Sequence, residues 1–292
     1  MDAPGGRPHQ AALVTRIDRE TQQTARAGLG RVEVASVRGQ SAVVDLYATS
    51  PLRLLTPRPR GLSAWVAQSS FGGGLVDGDA LSLEVRVQRG ARATLLTQAA
   101  TKVYRSPRGT SQRFAAAVDE DALLVAWPDP VTCFAGARFS QSTHLRLAPG
   151  ASAVLVDAFT AGRVASGERW AADHHDSHLL LEVDGRPVVD ERLQLDPLEG
   201  PVAGRMGRFD ALATVLLWGP LVSEARAAVA AAVSATPLER TGAVVESASP
   251  LGEHGLWLRC AATTTARLAQ RLRQRLAFVG ELVGGDLQRG KA

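Results

Sequence analysis

The chain has 292 residues, 45% apolar and 21% charged, values of a globular protein that exclude an intrinsically disordered one. Its net charge of +4 comes from dispersed Arg, with no run of about five Lys/Arg, so it carries no strong electrostatic footprint for nucleic acid. No apolar stretch of about 18 residues occurs, which excludes a spanning helix.

Residues 1–10 are polar, hold Pro4, Gly5, Gly6 and Pro8, and lack a charged-then-apolar leader. They read as a disordered start, and residues 11–292 as one domain that turns helical from about 219 onward. Two cysteines, Cys133 and Cys260, show no metal-type spacing and fit a reducing compartment, so a cytoplasmic protein is expected. VEVASV and SAVVDLY, within residues 31–47, predict two strands separated by Arg38-Gly39-Gln40. Residues 51–61, with three prolines, read as loop or sheet edge, and residues 63–70 as a strand.

Residues 71–105 are the most informative stretch. Gly72, Gly73 and Gly74 mark backbone that no Cβ can occupy, either a positive-φ turn or a close approach of two chains. After the turn Asp77-Gly78-Asp79, Leu81, Leu83, Val85 and Val87 alternate with Ser82, Glu84 and Arg86, the period of a half-buried strand. Another strand begins at residues 93–97. The stretch closes on Thr101, Lys102, Tyr104 and Arg105, polar groups at one end of a β unit.

GARATLLTQAATKV (residues 90–103) returns as GASAVLVDAFTAGRV (residues 150–164), with DALLVAWPDPVTCF (residues 121–134) near the midpoint. A period of about 30 residues suits stacked β coils, each burying its face on the next. Recurrent Gly-Ala turns in an Ala-rich β protein are the alternative. Residues 179–183 and 187–195 flank Asp184-Gly185 and predict a hairpin.

Leu221, Ala225, Val229 and Val233 then stand at helical spacing before Pro237, and residues 256–260 read as a last strand. Residues 263–279 give the clearest helix, with Leu268, Leu272, Leu276 and Val279 in one stripe. Its Arg267, Arg271, Arg273 and Arg275 read as a solvated face, a docking face being the alternative.

The run Asp173-His174-His175-Asp176-Ser177-His178 holds three of the six histidines. On a strand His174, Asp176 and His178 would share one face and offer ligands suited to Zn²⁺ or Ni²⁺. A solvated, histidine-rich turn is the simpler reading. The loop from Gly72 to Gly78 lacks the Gly-Lys-Ser/Thr ending of a phosphate-binding loop and reads as a structural turn. No Gly-x-Ser-x-Gly occurs, and Cys133 sits in an apolar context typical of core. Asp79, Asp157, Glu168 and Glu191 lie in or beside apolar strands, where an unpaired charge is costly. Ion pairs with Arg105, Arg163 or Arg192 are the ordinary outcome; an internal, wet passage lined by several acids is the functional one.

Five segments then stand in the order found in one family: GGGLVDGD (residues 72–79), ATKVYRS (100–106), WPDPVTCFAGARF (127–139), AGRVASGERW (161–170) and DGRPVVDERLQLDP (184–197). Over about residues 60–220 the chain resembles the UreD (UreH) family of urease accessory proteins. The resemblance implies a mainly β, two-layered, β-solenoid-like stack of strands with a few helices towards the C-terminus. It implies a non-enzymatic maturation factor that binds apo-urease and the accessory protein UreF, which recruits the GTPase UreG that delivers Ni²⁺. The resemblance further implies no tightly bound cofactor and Ni²⁺ in transit through an internal tunnel, and neither nucleic acid nor membrane is an expected partner.

The tunnel candidates are Asp79, Asp157, Glu168 and Glu191. Family-motif positions with a structural role are Gly72, Gly73, Gly74, Gly78, Thr101, Lys102, Tyr104, Arg105, Gly162, Arg163, Gly167 and Arg192. Cys133 has no family role, and the histidine run falls where the family has none. Two rivals are a β-solenoid carbohydrate-active enzyme, disfavoured by an aromatic content of 5%, and a nickel-buffering protein using His174 to His178.

Overall fold

Strand alternation governs this chain. In the computed structural model, which describes residues 27–58 and 61–287, Leu81, Leu83, Val85 and Val87 are all buried on one face of β5 (Ala80–Val87), while Glu84 and Arg86 are exposed on the other. The expectation for residues 1–10 lies outside the described residues.

Two sheets result. The first is seven-stranded, in the order β14 (Arg186–Leu195), β13 (His174–Val183), β11 (Arg138–Leu147), β8 (Thr110–Val118), β5, β1 (Ala27–Val37) and β2 (Gln40–Ala48). The second runs β16 (Val244–Leu251), β17 (Gly255–Ala262), β15 (Ala211–Trp218), β12 (Ser152–Thr160), β9 (Leu123–Ala126), β6 (Arg92–Thr97), β4 (Ala64–Ser70) and β3 (Leu52–Leu55). Short strands β7 (Lys102–Val103) and β10 (Val131–Cys133) join it through β12. The proline-rich stretch thus supplies β3, at a sheet edge. The architecture is mainly β with a few helices near the C-terminus.

Between β5 and β13 the chain crosses repeatedly from one sheet to the other, and the pairs β5–β8, β8–β11 and β11–β13 are parallel, as are β6–β9 and β9–β12. Arg92 stands opposite Leu123, and Leu123 opposite Ser152. The recurring Gly-Ala segments therefore begin strands of the same sheet at matched heights.

The inward faces of the two sheets share one apolar core, with Leu83, Phe114, Leu145 and Leu181 from the first meeting Leu95, Leu124 and Leu155 from the second. The second sheet's other face carries Leu96, Val125, Val154, Val156 and Val215, and the C-terminal helices cover it. In helix Thr265–Arg275, Thr264 Oγ1 accepts the Arg267 N–H at 3.2 Å, and Leu268 and Leu272 are buried against the sheet. No helix among the described residues is long and apolar enough to cross a membrane.

The arginine face of this helix is not uniformly solvated. Arg271 and Arg275 both engage Glu246 of β16, with Arg275 Nη2 at 2.8 Å, and the Glu246 side chain is only 3% exposed. A buried carboxylate between two guanidiniums fixes the helix to the sheet edge, and removing it strands two partly buried cations. Glu246→Ala is expected to lower stability by about 3 kcal/mol in urea denaturation; an unchanged midpoint would mean the arginines are solvated after all.

The triple glycine meets both demands read from the sequence. Gly72 and Gly73 have φ of 85° and 73°, whereas a Cβ on Gly74 would stand 2.5 Å from the Lys102 carbonyl oxygen and 2.8 Å from the Tyr104 ring. That close approach lets Leu75 N–H bond the Lys102 carbonyl at 2.8 Å and Tyr104 N–H bond the Leu75 carbonyl at 2.9 Å. Gly74→Ala should cost about 1–3 kcal/mol of stability through overpacking, read as a lower thermal midpoint; wild-type stability would refute the close approach.

Candidate functional site

The motif segments are neighbours in space. Residues 74–76 bond to 102–104, as above; Thr132 N–H reaches the Thr101 carbonyl at 2.8 Å, and Phe134 N–H the Val103 carbonyl at 2.9 Å. Tyr104 packs edge-on against Phe134, ring centroids 5.2 Å apart, and the Arg105 stem lies where a Cβ on Gly136 would be 3.0 Å away. Gly162, at φ 100°, admits the carbonyls of Cys133 and Glu168 to within 2.8 and 2.7 Å of its absent Cβ. Arg163 stands 4.4 Å above the Phe134 ring and binds Glu168 through Nε at 2.9 Å, and the Glu168 carboxylate also accepts the Ala135 N–H at 3.1 Å. Arg163 first, then that amide, holds the Glu168 carboxyl below the usual range. Gly167, at φ 78°, closes the turn between the two. These positions stitch loops together.

The four candidate acids separate. Glu168 is tied into that loop stitching. Asp79 is buried, 6% exposed, accepts the Val76 N–H at 2.9 Å and lines a hollow of about 330 Å³ with Gly72, Gly74 and Tyr104. Asp157 and Glu191, by contrast, line the same cleft, of about 310 Å³, between the last strands of the two sheets.

Within this cleft, Ser177 of β13 and Glu191 of β14 face Asp157 and Phe159 of β12 and Arg259 of β17. Gln141 Nε2 donates to both Asp157 oxygens at 2.8 Å and Ser177 Oγ donates to Oδ2 at 2.9 Å. Neutral donors thus hold this carboxylate. Burial pushes its pKa up, the bonds from Gln141 and Ser177 oppose the rise, and the Glu191 charge adds to it. Glu191 binds Arg259 Nη2 at 2.5 Å, an ion pair running from the edge of one sheet to the other.

Arg192, its sequence neighbour, points to the opposite face and grips Asp176 through Nε at 2.7 Å and Nη2 at 3.0 Å. The pairing of Glu191 with Arg192 is excluded by strand alternation. Gln141, Ser177 and Arg259 were missed in the sequence. Polar residues at inward positions of otherwise apolar strands were the available signal for the first two; Arg259, distant in sequence, left none.

The histidine run is not a turn. It forms the start of β13, paired in parallel with β11 from Arg138 opposite His174 onward. His174, Asp176 and His178 do share the outward face, but each has its own partner: His174 Nδ1 lies 3.2 Å from Asp196, His178 Nε2 2.7 Å from Asp190, and Asp176 is held by Arg192. Among the described residues no three His, Cys, Asp or Glu side chains are placed to hold a metal ion together.

Because the folded chain holds the Asp157 proton more tightly than the unfolded chain, this group favours folding below its unfolded pKa of about 3.9, and the contribution is lost as pH rises through the folded value. Asp157→Asn should therefore raise the thermal midpoint at pH 7 by about 2 °C, with the difference closing at acid pH. Parallel pH curves for the two proteins would show that burial does not burden the carboxylate.

Residues 26–289 match the model of a family described as UreD urease accessory protein. A urease accessory protein UreD of Anaeromyxobacter sp. (strain Fw109-5) is 49% identical over 264 residues, 89% of this chain and 88% of that protein. The UreD of Sorangium cellulosum (strain So ce56) is 47% identical, covering 91% of this chain and 84% of its own. Urease accessory protein D of Oryza sativa subsp. japonica is 39% identical over 69% of this chain and 67% of its own. The match extends well beyond residues 60–220 and takes in both the first strands and the C-terminal helices.

Proposed function

Since the chain belongs to the UreD urease accessory protein family, we propose that it acts in urease maturation as a non-catalytic scaffold, and that Ni²⁺ bound for urease passes through the Asp157–Glu191 cleft. In this reading it works in the cytoplasm, binds apo-urease and UreF, and meets UreG through UreF. The stack of paired β strands serves as a solenoid-like frame for those contacts.

The observation that carries the nickel reading is the pairing of two carboxylates in one cleft, one held by neutral donors and one by a single arginine. Oxygen ligands suit a passing divalent cation, because they hold nickel weakly enough to release it, which a conduit requires and a store does not. Displacing Arg259 from Glu191 would free a second carboxylate beside Asp157. Asp79 would act, if at all, from its separate hollow, and Glu168 chiefly through Arg163. The buffering alternative has less support, because His174 and His178 engage different carboxylates.

The test is Asp157→Ala combined with Glu191→Ala in a urease-activation assay with nickel, with the partner complex isolated in parallel. Activation should fall about tenfold or more, the scale of changes at metal sites, while UreF and urease still co-purify. Full activation by the double variant would remove the cleft from the nickel path.

A further inference from the structure

Across the second sheet, Asp157 stands opposite Thr214 and Thr214 opposite Arg259, so the three share one rung and line the cleft together. Two strand spacings set the backbones of Asp157 and Arg259 about 10 Å apart, a span their side chains can bridge. They do not bridge it. Asp157 takes its bonds from Gln141 and Ser177, while Arg259 crosses to the other sheet and gives Nη2 to Glu191 of β14 at 2.5 Å. A third carboxylate on the cleft wall, Glu246, is already held by Arg271 and Arg275. The charge balance between Asp157 and Glu191 therefore turns on the Arg259 guanidinium.

Two features make the Glu191–Arg259 pair exchangeable. The Arg259 side chain is 54% exposed and that of Glu191 27%, so the pair meets water and, like other solvated ion pairs, is weakly held. The Trp257 ring, two residues back on the same face of β17, lies 5.9 Å from the guanidinium carbon and offers the cation a second seat.

We propose that Arg259 is a tethered counter-ion that holds the Glu191 side of the cleft until a divalent transition-metal ion displaces it towards Trp257, and that it thereby decides which ions enter. This rests on the reading of the cleft as the nickel path. Entry is a cation exchange: the guanidinium leaves Glu191, and Glu191 and Asp157 each turn an oxygen to the metal ion. The ion sheds the waters those oxygens replace, and no covalent bond of the protein changes. A cleft of about 310 Å³ has room for the ion together with several retained waters.

A cation built into the site weakens every incoming ion by the same factor, so its effect falls on the weak binders. Mg²⁺ gives up its water reluctantly and holds a pair of carboxylates loosely. Ni²⁺ stands near the top of the affinity order of divalent first-row ions. With the guanidinium in place the cleft stays clear of Mg²⁺ and still yields to Ni²⁺.

The experiment titrates the metal-stripped full chain with Ni²⁺ by calorimetry, with and without Mg²⁺. Removing a positive charge from beside the ion should tighten Ni²⁺ binding about tenfold in Arg259→Gln, and Mg²⁺ should then compete, as it does not in the wild type. Arg259→Lys, which keeps the charge, should stay close to the wild type. Arg259→Ala should show the same gain as Arg259→Gln, and methylguanidinium added in solution should reverse it. Asp157→Asn placed in Arg259→Gln should abolish the gain, which ties the bound ion to this cleft. Equal Ni²⁺ affinity in the wild type, Arg259→Gln and Arg259→Ala, each weakened by Asp157→Asn, would overturn the counter-ion role while leaving nickel in the cleft. Ni²⁺ binding that Asp157→Asn weakens in none of them would remove nickel from the cleft, and the counter-ion role with it.

Discussion

When β5, β8 and β11 pair in parallel, the chain must travel back the length of a strand before each new pairing can begin. Here the return is itself extended chain, laid into the facing sheet as β6, β9 and β12. Each pass therefore adds to both sheets together, and their inward faces close on one core without a helix between them. The turns at one rim consequently stack, which is why motif segments dozens of residues apart in sequence bond to each other there. The parallel pattern is bounded at both ends: β1–β2 and β3–β4 before it are antiparallel, as are β13–β14, β12–β15, β15–β17 and β16–β17 after it, and the cleft lies among these last strands.

Inward-drawn charge is handled differently at Glu246, Glu191 and Asp157. Glu246 is neutralised by two arginines and serves attachment of the helical layer. Glu191 has one arginine, reached across the gap between sheets. Asp157 is held by an amide and a hydroxyl, and pays in raised pKa for the lack of a cation. A carboxylate kept in such surroundings works against stability, which is the usual mark of a group retained for another purpose. A divalent ion entering the cleft would meet its charge directly.

Much of this fold was legible because its signals are local. Alternation at residues 81–87, the Asp184-Gly185 turn between β13 and β14, and the stripe of Leu268, Leu272 and Leu276 each depend on neighbours a few residues apart; the helix read over 263–279 stops at Arg275, however, and Val279 begins a separate helix, Val279–Val283. The recurrence of Gly90-Ala91 at Gly150-Ala151 was readable because parallel pairing sets equivalent residues side by side. Strand β16, with Ser247, Ser249 and Pro250, carries no apolar alternation and gave no signal; it forms by pairing along β17 at the sheet edge. The histidine run was misread for a related reason. Polar residues fill both faces at the start of β13, with His175 and Ser177 turned inward, so the period that marks a strand is hidden. Of the site, the acids Asp157 and Glu191 could be named beforehand, but not their partners: Gln141, Ser177 and Arg259 come from separate strands.

The proposed role requires that urease cannot receive its nickel without this chain. The most direct measurement is to express urease with its accessory proteins, with and without this chain, then isolate the chain by affinity and assay both urease activity and bound nickel. UreF and UreG should be recovered with it, and urease made in its absence should be inactive and poor in nickel. Fully active, nickel-loaded urease formed without the chain, together with no partner recovered on it, would contradict the account.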